Sequence, residues 1–420
     1  MAARTATAAL AALATIASAA VVVSGFSRTV TADGPPLPRA MPESVGLASA
    51  KLGEAGALLA RYVADKKIAG AVAAVARHGK LAWLEGVGVQ DLETRARMTD
   101  RSIFRIYSMT KSVTAVAAMM LFEEGRFRLD DPVSKYLPEF GGVVVRAGDD
   151  GAVRRPSRAV TVEDLLLHTS GLEHRTSEIY RRARVRSRGD TLPQFIANVV
   201  RVPLMEDPGT RFRYSEGTTV LGRLIEIWSG KSLDAFLDER VFRPLAMADS
   251  GFWAPDDKRA RLATVYAPSA DGGLKPIEIE EVPFTSRPAL LEGAVGLVST
   301  VPDYLRFCQM LLNGGELDGV RLLRADTVKT MTRNGLPAAV LAARGPSTSL
   351  GAGGAMGWGL ANVNVAMDSG EYGWDGTAGT IFWIDPNREM ITILMTQSSP
   401  ANPDGLRQRF KALIQQAVMN

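Results

Sequence analysis

The chain has 420 residues, 46% of them hydrophobic and 22% charged, with a net charge of +4. These are ordinary globular proportions, enough chain for one large catalytic unit or two lobes, and the charge is too small to imply a nucleic-acid partner. A lone cysteine, Cys308, excludes an intrachain disulfide, and His78, His168 and His174 show no metal-site spacing, so cofactor-free, metal-free chemistry is expected.

Residues 1–32 stand apart from the rest. Arg4 precedes an uncharged stretch from Thr5 to Ser27, dominated by alanine, threonine and valine. Its low bulk suits the apolar region of a secretory signal peptide better than a permanent transmembrane helix. Cleavage after Val30-Thr31-Ala32, or after Ala17-Ser18-Ala19, would leave a mature chain without a stable membrane span, periplasmic or secreted; an uncleaved anchor is the alternative. "DGPPLPRAMPES" (Asp33 to Ser44) reads as an extended linker, and the catalytic domain is placed within residues 33–420.

A helical pattern then runs from Ser49 to Asp65. "GAVAAVARHGKLAWLEGVG" alternates β runs around His78-Gly79-Lys80, a hairpin signal. "IYSMTKSVTA" opens a helix with an apolar stripe of Val113, Ala117, Met120 and Leu121, stopped by Gly125. Short helices follow in "TVEDLLLHTSG", "TVLGRLIEIWSG" and "SLDAFLDERVFRPL". Cys308 in "DYLRFCQMLLN" reads as a buried small hydrophobe. "TIFWIDPNREMITILMTQ" is strand–turn–strand, and "GLRQRFKALIQQAVM" is a closing amphipathic helix. Strands at both ends with helices between them suggest one sheet assembled from the two ends of the chain.

Three segments carry chemistry. Ser108 and Lys111 are three residues apart, so a helix stacks them on one face and places an amine beside a hydroxyl. Ser108 at a helix start also meets backbone N–H groups able to hold an oxyanion. Tyr214 in "FRYSEGTTVLG" is a phenol that serves as a base only if a cation such as Lys111 stabilises its phenolate. "YGWDGTAGTIFW" is a glycine-rich strand entry, where bare backbone at Gly376 and Gly379 admits substrate and the Thr377 N–H is a second oxyanion donor.

These segments, Ser108-Met109-Thr110-Lys111, Tyr214-Ser215-Glu216 and Trp374-Asp375-Gly376, resemble in order the motifs of the serine β-lactamase/penicillin-recognising family. The likeness is greatest to class C β-lactamases and family VIII carboxylesterases, and runs from about Leu47 to the final helix. It implies a β-lactamase/DD-peptidase-like fold, α/β plus an all-α lobe. A central antiparallel sheet flanked by helices would form from about residues 40–105 and 290–420, with a helical lobe over about 106–289.

The resemblance further implies Ser108, Lys111 and Tyr214 as catalytic residues and the backbone N–H groups of Ser108 and Thr377 as oxyanion donors. Trp374, Asp375, Gly376, Glu216 and Tyr107 would bind substrate. Trp374 stands where the β-lactamases carry a lysine for the substrate carboxylate, and Glu216 where they carry an asparagine. Losing that cation disfavours anionic substrates, and Asp375 and Glu216 in the cleft would disfavour them further. The implied activity is a serine carboxylesterase acting on a small-molecule ester. A β-lactamase, a D-alanyl-D-alanine carboxypeptidase and a non-catalytic scaffold are the alternatives. The usual nucleophile elbow of α/β-hydrolases is absent, since no serine lies in G-x-S-x-G. His168 is read as structural, and the arginine run Arg181 to Arg188 as a solvated, mobile loop over the cleft.

Overall fold

The computed structural model describes residues 37–148, 151–279, 284–344, 346–347 and 354–419, so the expected leader lies outside the described residues. Helix α1 (Ser49–Ala64) ends on Asp65 as its C-cap. Strands β1 (Gly70–Arg77) and β2 (Lys80–Gly88) pair through His78 and Gly79, whose φ values are 52° and 72°. A two-residue turn with both φ positive matches the twist of the flanking strands, which is why His-Gly closes this hairpin.

The middle of the chain contributes α2 (Thr110–Glu123), α3 (Val162–Leu167), α4 (Gly217–Ser229) and α5 (Val301–Leu312). Local chemistry sets their ends. Thr161 and Asp164 form a reciprocal capping box at the head of α3, and Gly230 in the left-handed region stops α4. Next come β3 (Pro346–Ser347), β4 (Gly354–Gly359), β5 (Val363–Ala366), β6 (Tyr372–Asp375), β7 (Ile381–Asp385) and β8 (Met390–Thr396). Helix α6 (Leu406–Ala417) closes the chain.

These strands form one antiparallel eight-stranded sheet in the order β3-β4-β5-β6-β7-β8-β1-β2. The N-terminal hairpin docks on the C-terminal meander, with Ala71 opposite Thr396 and Arg77 opposite Met390. The sheet is therefore built from both ends of the chain, as the strand pattern implied. Along β1 the side chains alternate between two cores. Ala71, Ala73 and Val75 meet Leu59 of α1 and Phe410 and Ile414 of α6, while Val72, Ala74 and Ala76 join the core containing α2 and α5. Burial on both faces explains why β1 reads as a continuous apolar run and not as an alternating one. The small alanines let the helices approach the sheet closely.

Helix α2 departs from the expected stripe: every residue from Thr110 to Leu121 is buried. It is wrapped on all sides, packing on α4 and beneath the sheet, so no solvent face is left. Cys308 on α5 is fully buried, as expected for a small hydrophobe. Among the described residues no helix is long and apolar enough to cross a membrane.

Candidate active site

Ser108 sits in a 3₁₀ turn, Tyr107–Met109, that runs directly into α2. Tyr107 has φ 42°, a left-handed conformation uncommon for a bulky residue and one that makes the turn sharp. Its surroundings hold it there. Ile106 N–H donates to the Leu297 carbonyl (3.0 Å), the Met109 carbonyl accepts from Tyr304 Oη (2.9 Å), and Leu297 N–H donates to Thr110 Oγ1 (3.1 Å). Ser108 itself is 7% exposed, recessed yet reachable.

One helical turn on, Lys111 is fully buried. Its Nζ donates to the Ala294 carbonyl at 3.0 Å and lies 4.6 Å from the centroid of the Tyr214 ring. Tyr214 comes from the loop before α4, more than a hundred residues away in sequence, so the fold joins the first two motifs. Strand β6 supplies the third. Trp374 Nε1 donates to Tyr214 Oη at 3.2 Å, with the rings tilted 5.2 Å apart. The phenol oxygen thus has an N–H donor from one side, and its ring has a cation beside it.

The turn after β6 abuts the serine turn. A Cβ on Gly376 would collide with the Ile106 carbonyl and with Thr380 Oγ1, so only glycine allows this approach. Thr377 on the same turn is exposed. Among the described residues neither its N–H nor that of Ser108 donates to a protein acceptor, which leaves both available for an oxyanion. Gly376→Ala is expected to push the two turns apart, lowering the thermal midpoint by several degrees and any turnover that depends on Ser108 at least tenfold. Calorimetry and steady-state assays on that variant check both.

Three residues assigned to substrate binding make their contacts within the protein. Glu216 is fully buried at the head of α4 and accepts from Thr219 Oγ1 at 2.8 Å. Asp375 pairs with Arg407 of α6, whose Nη2 also donates to the Gly376 carbonyl at 3.1 Å. Tyr107 is 1% exposed, edge-on to Phe284 at 5.8 Å. Carboxylates withdrawn wholly or partly from water take the nearest donors in the protein, and that choice is invisible in a linear motif.

His168 is the left-handed C-cap of α3, wholly buried between Tyr214 and Trp358, and its Nδ1 accepts from Ser215 N–H at 3.2 Å. Burial holds its imidazole well below the usual range, so it is a neutral structural group. His174 stacks on Tyr214 at 5.6 Å, and burial pushes its imidazole down to about 4. Both imidazoles resist protonation only while folded. Their contribution to stability is intact above pH 6.5, where the unfolded histidines are also neutral. It falls as pH drops from there toward 4. As pH falls from 7.5 to 4.5, the urea midpoint of wild type should lose ground relative to that of His174→Gln.

The arginine run differs from the solvated loop expected of it. Arg181 and Arg182 are exposed and pair with Glu178, but Arg186 is mostly covered and Arg188 is 2% exposed, both reaching buried Glu292. Sequence reasoning also missed Trp358, which packs edge-on to Trp374 at 4.7 Å, and the Ala294 carbonyl that holds Lys111. Backbone acceptors leave no side-chain signature, and a tryptophan in "GWGL" reads as core.

Comparison with known proteins identifies the family. Residues 56–417 match the family model described as Beta-lactamase. Protein Rv1367c of Mycobacterium tuberculosis is 33% identical over 352 residues, covering 79% of this chain and 86% of that protein. Esterase EstB of Burkholderia gladioli is 27% identical over 372 residues, covering 80% and 87% respectively. Among solved structures, EstCE1, described as a hydrolase with promiscuous acyltransferase activity, superposes with a TM-score of 0.75 at 25% identity, covering 89% of this chain and 99% of that one. A β-lactamase-like sheet, three motifs brought together in space and a family match across most of the chain lead to one conclusion: this protein belongs to the Beta-lactamase family.

Proposed function

We propose that the chain is a serine carboxylesterase of the family VIII type, cleaving neutral, short-chain or aromatic esters through an acyl-enzyme on Ser108. The observation that carries this reading is the hydrogen bond from Trp374 Nε1 to Tyr214 Oη. At the position where β-lactamases of this family present a cation to an anionic substrate, this chain has a neutral indole, and its N–H is spent on the tyrosine. The names of EstB and EstCE1 support the same direction.

In this mechanism Ser108 Oγ attacks the ester carbonyl as its proton passes to the Tyr214–Lys111 pair. The amides of Ser108 and Thr377 take the oxyanion, each worth about 10²–10³ in rate. Tyr214 returns the proton to the departing alkoxide, and water, activated by the same tyrosine, releases the acid. With Asp375 held by Arg407 and Glu216 held in α4, selectivity against anions falls mainly to the missing lysine. Residues 1–32 serve, in the same reading, as an export signal.

The test is turnover of p-nitrophenyl butyrate against a chromogenic cephalosporin by the mature protein. Ester hydrolysis exceeding cephalosporin hydrolysis by orders of magnitude is expected. The reverse would favour a β-lactamase or peptidase, and no turnover of either would favour a scaffold. Trp374→Phe keeps the apolar wall but removes the donor to a developing phenolate. A hydrogen bond to a charged group is worth about 1.5–3 kcal/mol, so kcat should fall about tenfold or more while KM changes little.

A further inference from the structure

The Lys111 ammonium donates to the Ala294 carbonyl, so whatever fixes Ala294 also fixes the ammonium. Ala294 lies in a turn, Gly293 to Val295, outside any helix or strand. That turn is closed by the Glu292 carbonyl, which accepts the N–H groups of Val295 (3.2 Å) and Gly296 (2.8 Å). The Gly293 carbonyl accepts from Thr114 Oγ1 of α2 at 2.8 Å, tying the turn to the helix that carries Lys111.

The Glu292 side chain is completely buried. Arg186 meets it with two nitrogens, Nε on Oε1 and Nη2 on Oε2 at 2.7 Å, and Arg188 Nη1 adds a third contact to Oε2 at 3.4 Å. Burial alone would raise the Glu292 carboxyl, but the guanidinia of Arg186, Arg175 and Arg188 together hold it below the ordinary range. Arg188 also lies 4.6 Å from the Phe284 ring, which packs edge-on to Tyr107, the strained residue before Ser108. Its backbone carbonyl accepts Leu290 N–H at 3.3 Å. One buried ion cluster thus braces the turn behind the lysine and the residue before the serine.

We infer that Glu292, clamped by Arg186 and Arg188, is a positioning residue that sets the Lys111 ammonium through the Ala294 carbonyl. The inference rests on reading Ser108 as nucleophile and the Lys111 cation as the partner of the proton-accepting Tyr214. A bidentate guanidinium–carboxylate pair resists rotation, unlike a single apolar contact, so it suits holding a turn that has no ladder of its own. Glu292→Gln preserves volume but leaves two guanidinia facing an uncharged amide in a dry site, and the turn has to repack. A misplacement near 1 Å at a reacting group costs about 10²-fold.

The experiment measures kcat and KM for p-nitrophenyl butyrate in Glu292→Gln, Glu292→Asp and Arg186→Lys, corrected for active sites. The correction is the fraction of protein labelled at Ser108 by a fluorophosphonate, taken to completion and read by intact mass. Per active site, kcat should fall about 10- to 100-fold in Glu292→Gln and severalfold in Arg186→Lys, with KM within about twofold. Glu292→Asp, which keeps the charge, should recover part of the loss. A purely structural role would lower the labelled fraction and the thermal midpoint but leave kcat per labelled site unchanged, and that result overturns the proposal. If Glu292→Gln does not accumulate, Arg186→Lys decides by the same criteria, since Arg186 lies at the edge of the cluster. A wild type that is neither labelled nor active overturns the esterase reading and this proposal together. A labelled, active wild type beside unchanged variants overturns only this one.

Discussion

Ser108→Ala is expected to reduce ester turnover by about 10⁶, the scale set by removing the nucleophile from other serine hydrolases. Without Oγ there is no acyl-enzyme, and the pocket and amides that remain can only bind substrate. The fold should be unaffected, because among the described residues the Ser108 hydroxyl holds no other group in place. A thermal midpoint within a degree or two of wild type, loss of the fluorophosphonate mass shift and loss of turnover would together assign the chemistry to this residue. Retention of more than about one part in 10³ of the activity, with contaminating esterase excluded, would require another nucleophile.

The next largest effects belong to Lys111 and Tyr214. General acid–base groups contribute about 10²–10⁴ each, so Lys111→Met and Tyr214→Phe should each lower kcat within that range. The cation lies beside the phenol ring and the phenol oxygen is already hydrogen-bonded, so the two act as one unit. The double variant should then be little worse than the poorer single one. Stability separates them. Lys111→Met leaves the buried Ala294 carbonyl unpaired, at about 1–3 kcal/mol, whereas Tyr214→Phe leaves unpaired only the indole N–H of half-buried Trp374. Additive losses in the double variant would mean that the lysine and the tyrosine serve different steps.

Particular residues show why some of this was legible in the sequence. Backbone conformation is a local matter, so His78-Gly79 announced a hairpin and Gly125 a helix end. Periodicity is also local, and the apolar runs at the two ends foretold a sheet drawn from both. The three motifs were legible because each places its chemistry within three or four residues. Helix α2 was read less well: a pattern shows which positions are apolar, but the environment of the small and polar positions between them is set by neighbours.

Partner choice lay beyond the sequence for the same reason. Asp375 and Glu216 looked like cleft carboxylates until Arg407 and Thr219 claimed them. Half of the arginine run looked solvated until Glu292, more than a hundred residues later, turned it inward. By itself the sequence determined the order of the chemical groups, the hairpin, the helix ends and the absence of a cation at Trp374. Tertiary structure alone decided that the Trp374 indole hydrogen-bonds Tyr214, that Lys111 rests on the Ala294 carbonyl, and that a buried ion cluster stands behind it. Dihedral preferences and side-chain periods are encoded within a few residues. Hydrogen bonds between distant groups form only after burial has removed water and left each donor the acceptors that packing brings within reach.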